Sequence, residues 1–301
     1  MTLTRREALA GALAATAALG LSPNAALAAG PLLAKVKGNP EAATRKAVEL
    51  VGGMSKFCGR GSKVVIKPNM GFAVGPAVGA TTNPQVVRVL AQMALEAGAK
   101  RVLVIDNPVH QTRACLEQNQ IREACADLPD TTVLTMDDKR FFVDQQVPGG
   151  QTLRKTAVFK DIVESDLLIN VPTAKSHGST TVSMSLKNLM GAIYNRRVFH
   201  AVHNLHQAIA DLSSLVRPGL IVLDASRCLT DKGPGGPGTL VKARTIIAGS
   251  DPVAVDSLGV TLAPWYGKRL EPSQIKHIVR AAQLGLGEIN SDRWQVRSAE
   301  V

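Results

Sequence analysis

The chain has 301 residues, 45% of them hydrophobic and 3% aromatic, with four cysteines and a net charge of +11. That apolar content is ample for a core, which must be built from Val, Leu, Ile and Ala rather than from rings. The positive charge favours acidic partners in general. The basic residues are scattered, however, and stacking aromatics are nearly absent, so composition argues against nucleic acid as a partner.

At the N-terminus Arg5-Arg6 precede an apolar stretch over residues 8–21, which is followed by Ser22-Pro23-Asn24 and the small-x-small site Ala26-Leu27-Ala28. A basic start, a short apolar run and an A-x-A end define an export signal. The arginine pair marks the twin-arginine route, with the translocase as partner during export. The run is too short and too weakly hydrophobic to span a hydrocarbon core of ~30 Å, and no later segment approaches that length without a charge, so stable membrane insertion is not expected. The expectation is a signal peptide over residues 1–28 and a periplasmic or otherwise exported single α/β domain over residues 29–301. Cleavage removes two arginines and one glutamate, so +11 becomes +10.

Asn39-Pro40-Glu41 opens a helix that ends near Gly52-Gly53, with Asn39 as cap and Pro40 at its first position. Residues 63–67 read as a strand. A Gly-rich loop over 70–80 leads to Thr81-Thr82-Asn83-Pro84, the start of a helix that stops at Gly98, and residues 101–106 form the next strand. This strand–helix–strand run implies parallel pairing. Further strands are predicted over 132–135, 166–171, 220–224 and 245–248, with an irregular β region over 141–159. Helices are predicted over 201–216, after Asp251-Pro252, and over 273–284. Near-continuous apolar strands suit a sheet covered on both faces. The fold class is therefore α/β, a mainly parallel sheet flanked by helices on both faces.

Cys58, Cys115, Cys125 and Cys228 contain no Cys-x-x-Cys pair, so zinc and iron–sulfur spacings are missing. In an oxidising compartment four cysteines permit two disulfides in three connectivities. Free buried thiols suit a domain of this size equally well, and Cys115 and Cys125 are near enough in sequence to pair.

The unusual polar residues fall where strands end. Lys67-Pro68-Asn69 follows the first, Asp106-Asn107-Pro108 ends the second, Lys175-Ser176-His177-Gly178 comes after 166–171, and Asp224 ends the next. In an open parallel sheet the carboxyl ends lie along one edge, where ligands bind. Lys187-Asn188 lies beside Gly191, where backbone can approach a ligand closely. Lys67, Lys175 and Lys187 would make an anion pocket, and a buried lysine there would act as a base if its pKa fell. Lys175 is expected to be a cleft-surface side chain that contributes little to the core. Lys175, His177 and Asp224 are the catalytic candidates. Lys67, Asn69, Asn83, Asp106, Lys187, Asn188, Gly233, Gly235 and Asp256 are the binding candidates. The Gly/Pro loop over 231–238 can form an anion nest, and it lacks the Lys-Ser/Thr of a nucleotide-binding loop. His200, His203 and His206 fall within about 120° of one helical face, so His200 and His203 are candidate ligands for a divalent metal.

Several of these motifs occur together in one order. Ile66-Lys67-Pro68-Asn69, Thr82-Asn83-Pro84, Asn170-Val171-Pro172 through Lys175-Ser176-His177, Lys187-Asn188-Leu189-Met190-Gly191 and Ser250-Asp251-Pro252 through Asp256 resemble the domain-of-unknown-function family 362. The resemblance runs from about residue 60 to 287. It implies an α/β domain often found beside ferredoxin-type modules, of which this chain carries no motif. A looser likeness, of architecture only, is to lactate racemases, which also deliver Lys and His from strand-end loops. The expected function is a strand-end cleft that binds a small carboxylate or phosphate, with Lys/His acid–base chemistry. The alternative is a periplasmic metal- or cofactor-binding accessory protein linked to redox enzymes.

Overall fold

A computed structural model describes residues 30–196, 199 and 204–301. The expected signal over 1–28 and the candidate ligands His200 and His203 lie outside the described residues. The strands are β1 (Leu32–Lys37), β2 (Lys63–Pro68), β3 (Arg101–Asp106), β4 (Thr131–Thr135), β5 (Phe142–Gln146), β6 (Lys155–Phe159), β7 (Leu167–Val171), β8 (Thr173–His177), β9 (Thr181–Ser183), β10 (Leu220–Leu229), β11 (Leu240–Val241), β12 (Thr245–Gly249) and β13 (Gln295–Glu300). The main sheet has the order β13-β1-β12-β10-β7-β2-β3-β4. From β10 to β4 all neighbours are parallel. β12 runs against both β10 and β1, and β13 is parallel to β1.

The alternation of side chains across the strands explains why both faces are covered. Val65, Leu168, Ile221 and Leu223 enter one apolar cluster, while Val64, Ile66, Leu167, Ile169, Leu220 and Val222 enter the other. Side chains two apart share a face, so a strand that is apolar throughout must be buried twice. The helices Pro40–Leu50 and Pro84–Glu96 cover the second cluster through Ala43, Ala47, Val86 and Leu90. The helices Leu205–Leu215, Pro252–Val260 and Lys276–Gln283 cover the first. Each of the first two begins as its sequence requires, with Asn39 and Asn83 accepting from the backbone N–H two residues on and proline at the first position.

Five strands lie beyond what the sequence pattern indicated, β1, β8, β9, β11 and β13, and β8 takes in Lys175 to His177, where the pattern predicts a loop. β1 carries Lys35 and Lys37 in a six-residue run, and β13 is a mostly exposed edge strand. The irregular region over 141–159 is a separate antiparallel pair, β5–β6, with Phe142 and Phe159 stacked at 4.1 Å. All four cysteines are free and buried. Burial pushes the Cys115 and Cys125 thiols up to about 11 and Cys228 up to about 12, so these are packing residues rather than reactive thiols. Among the described residues no helix is long and apolar enough to cross a membrane.

Candidate functional site

β2 and β3 are parallel neighbours, so their ends place Lys67 and Asp106 side by side. Lys67 Nζ lies 2.8 Å from Asp106 Oδ1, and both side chains are almost wholly buried. The ammonium also donates to Pro68 O at 2.8 Å and Asn188 Oδ1 at 3.2 Å. The second Asp106 oxygen accepts from Met70 N at 2.7 Å. Burial pulls the Lys67 pKa down, Asp106 opposes the fall, and Arg196 adds to it. Gly191 passes directly over this pair. A Cβ there would stand 2.0 Å from Asp106 Oδ1 and 2.6 Å from Lys67 Nζ, so only glycine fits.

The short helix Ser185–Asn188 is fixed from two sides. Asp256, on the helix Pro252–Val260, accepts from Ser185 N at 2.7 Å and Leu186 N at 3.0 Å. Burial raises the Asp256 carboxyl to about 7. On the other side Asn188 donates to Asn170 Oδ1 at 2.8 Å and Lys67 O at 3.2 Å, and its Oδ1 accepts from Asn69 Nδ2 at 3.2 Å. Lys187 is thereby held in the site. Burial first, and then Arg196, lowers its amine to about 7.

Lys175 comes from β8. It is 1% exposed, donates to Ala80 O, and sits over the Phe72 ring at 4.4 Å. Burial takes its pKa well below the ordinary lysine range, Asp106 opposes, and Lys187 and Lys67 add to the fall. This corrects the expectation of a cleft-surface lysine with little part in the core. His177 closes β8 and accepts from Ser179 N through Nδ1 at 3.2 Å.

These side chains surround one cavity of about 220 Å³. Lys67, Asn69, Asp106, Lys175, His177, Lys187 and Asn188 line it. The other sequence candidates lie outside its wall. Asn83 caps the helix Pro84–Glu96. Asp224 accepts from Asn83 N at 2.8 Å, Ser226 N at 3.0 Å and Ser226 Oγ at 2.6 Å, and so ties β10 to that helix. Asp256 supports Lys187 from behind. Gly233 N donates to Ser176 Oγ at 3.0 Å, and Gly235 packs on Phe72, so the Gly/Pro loop reaches the cavity through Pro234. Phe72 and Arg196 complete the wall without having been singled out from the sequence. Phe72 had a signal: a lone ring in a Gly-rich loop of a chain with six phenylalanines.

His206, third in the histidine run, lies beside His277, the rings parallel within 8° at 6.1 Å. Burial lowers His277 to about 3. Among the described residues no group of three or more His, Cys, Asp or Glu is placed to hold a metal ion.

The domain of unknown function DUF362 matches residues 64–261 of this chain. Thylakoid-associated protein sll1697 of Synechocystis is 24% identical over 254 residues, covering 81% of this chain and 75% of that protein. The lactate racemase apoprotein of Thermoanaerobacterium thermosaccharolyticum superposes with a TM-score of 0.52 at 12% identity, over 80% of this chain and 59% of the racemase. A Thermotoga maritima protein gives a TM-score of 0.44 at 13% identity, over 74% of this chain and 59% of its own. The racemase likeness is one of fold.

Proposed function

This chain belongs to the DUF362 family, and on that premise we propose that its strand-end cavity binds a small anion, a carboxylate or a phosphate, and moves protons on it through lysine and histidine. The observation that carries this reading is the imbalance of charge around the cavity. Among the described residues Lys67, Lys175 and Lys187 line it with one carboxylate, Asp106, which is already engaged by Lys67. Among the described residues neither Lys175 nor Lys187 has a carboxylate within ion-pair distance, and burying an uncompensated ammonium is costly. A bound anion supplies the missing charge. Lys187 and His177 line the same space, and a group that titrates near neutrality is matched to proton transfer at working pH.

Anion binding to the folded state alone stabilises it by mass action, by about 2.7 kcal/mol at 100 times the dissociation constant. Sulfate is therefore expected to raise the melting temperature above that in chloride at equal ionic strength. Lys175→Met, which keeps the buried stem, is expected to reduce that gain. Equal melting temperatures in the two salts would remove the support for the reading.

Export through the twin-arginine route rests on Arg5-Arg6, the weak apolar run and Ala26-Leu27-Ala28. Replacing both arginines with lysine is expected to leave the protein in the cytoplasm, as read by cell fractionation. Normal export of that variant would count against the route.

A further inference from the structure

The three lysines of the cavity differ in what holds their amines. Lys67 is ion-paired with Asp106 and donates to Asn188 Oδ1 and Pro68 O. Lys175 gives one to Ala80 O and rests over Phe72. Lys187 is 8% exposed, and its one hydrogen bond among the described residues goes to Met190 Sδ at 3.0 Å. A thioether is a weak acceptor, so an ammonium at this position has no oxygen to replace its lost water. Its position is nonetheless fixed, because the Ser185–Asn188 backbone is anchored on Asp256 and the Asn188 side chain on Asn170. The outcome is a positioned amine that is half neutral at about pH 7 and open to a cavity lined by other cations.

We propose that Lys187 is a nucleophile that condenses with the carbonyl group of a small oxo acid, whose carboxylate is held by the neighbouring cations. This rests on the anion-site reading above and names the class of ligand. The amine lone pair forms the C–N bond as the carbonyl π pair moves to oxygen, which takes up a proton. Loss of the nitrogen protons and departure of that oxygen as water then form C=N. The balance is amine plus carbonyl giving imine plus water, with no oxidant or reductant. Protonated, the imine draws electrons from the adjacent carbon and acidifies its C–H bond. A cavity of about 220 Å³ suits an acid of a few carbons.

The test uses the full mature chain, glyoxylate as the carbonyl acid, and cyanoborohydride to reduce any imine to a stable carboxymethyl-lysine, with peptide mapping by mass spectrometry. Lys187 is expected to be modified at least about tenfold faster than exposed Lys100 and Lys155, because its amine is half neutral at about pH 7 and faces a cavity that holds the acid's carboxylate. The rate should saturate with glyoxylate, and glycolate, which has the carboxylate without the carbonyl, should slow it. Lys187→Arg should lose this site while surface labelling continues. Labelling of Lys187 no faster than the surface lysines overturns the proposal. If glycolate and sulfate still stabilise the fold in that case, the anion site stands and the imine alone falls. If neither stabilises it, the anion site falls as well.

Discussion

Replacing Asp106 with alanine is expected to lower the unfolding free energy by about 3–5 kcal/mol. Among the described residues Asp106 is the one carboxylate in contact with the buried Lys67, and it also accepts the backbone N–H of Met70. Its removal leaves an almost wholly buried ammonium, with Lys175 and Lys187 nearby and no carboxylate among the described residues that line the cavity. Gly191 presses on the pair from above and leaves no space for a bulky replacement. The melting temperature should fall by roughly 10 °C for a chain of this size. The double variant Lys67→Met/Asp106→Asn, which adds no bulk at position 106, should recover most of the loss, because removing both charges is far cheaper than removing one. Urea unfolding of the three variants reads these differences. A loss below about 1 kcal/mol for Asp106→Ala would mean that the pair holds little of the site together.

Lys187→Met is expected to stabilise the protein in acid and to lose that advantage as pH rises. The Lys187 amine falls from 10.5 in water to about 7 in the fold. Between those values the unfolded chain binds the proton and the folded chain does not, so wild-type stability rises with pH across that window. Below pH 7 the full cost of the buried charge is present. The gap between variant and wild type should therefore be largest below 7 and close by about 5 kcal/mol by 10.5. Asp256, raised to about 7, contributes with the opposite slope below neutrality, where the folded carboxyl keeps a proton that the unfolded one has lost. Comparing variant with wild type at each pH cancels that contribution. A gap independent of pH between 6 and 10.5 would show that Lys187 stays charged in the fold.

What could be read from the sequence was local. The runs that form β2 and β3 are apolar and short and close on Lys67 and Asp106, while Lys175 lies in β8, shortly past the end of β7. Whether a carboxylate faces a ligand or a backbone is not local. Asp224 looks like Asp106 in sequence, yet it spends one oxygen on Asn83 N, 141 residues away, while Asp256 caps a helix 71 residues before it. Strand direction shows the same divide. β12 has the apolar pattern of its neighbours, and its reversal between β10 and β1 follows from how the chain returns to the sheet, which no side chain in 245–249 records. β13 carries almost no buried side chains, because an edge strand pairs through its backbone. The low pKa of Lys187 depends on its burial and on Arg196, a matter of packing that composition cannot express.

Calorimetric titration of sulfate into the protein at about pH 8, one unit above the Lys187 midpoint, reads binding and proton exchange together when repeated in two buffers of different ionisation enthalpy. Sulfate does not titrate there, so any proton taken up belongs to the protein. An anion beside Lys175 and Lys187 raises their pKa values and recharges them, so saturable binding of one sulfate with net uptake of protons is the expected result, with Lys175→Met weakening both. Absence of saturable binding, or binding with no proton uptake that Lys175→Met leaves unchanged, would contradict an anion site built from these lysines.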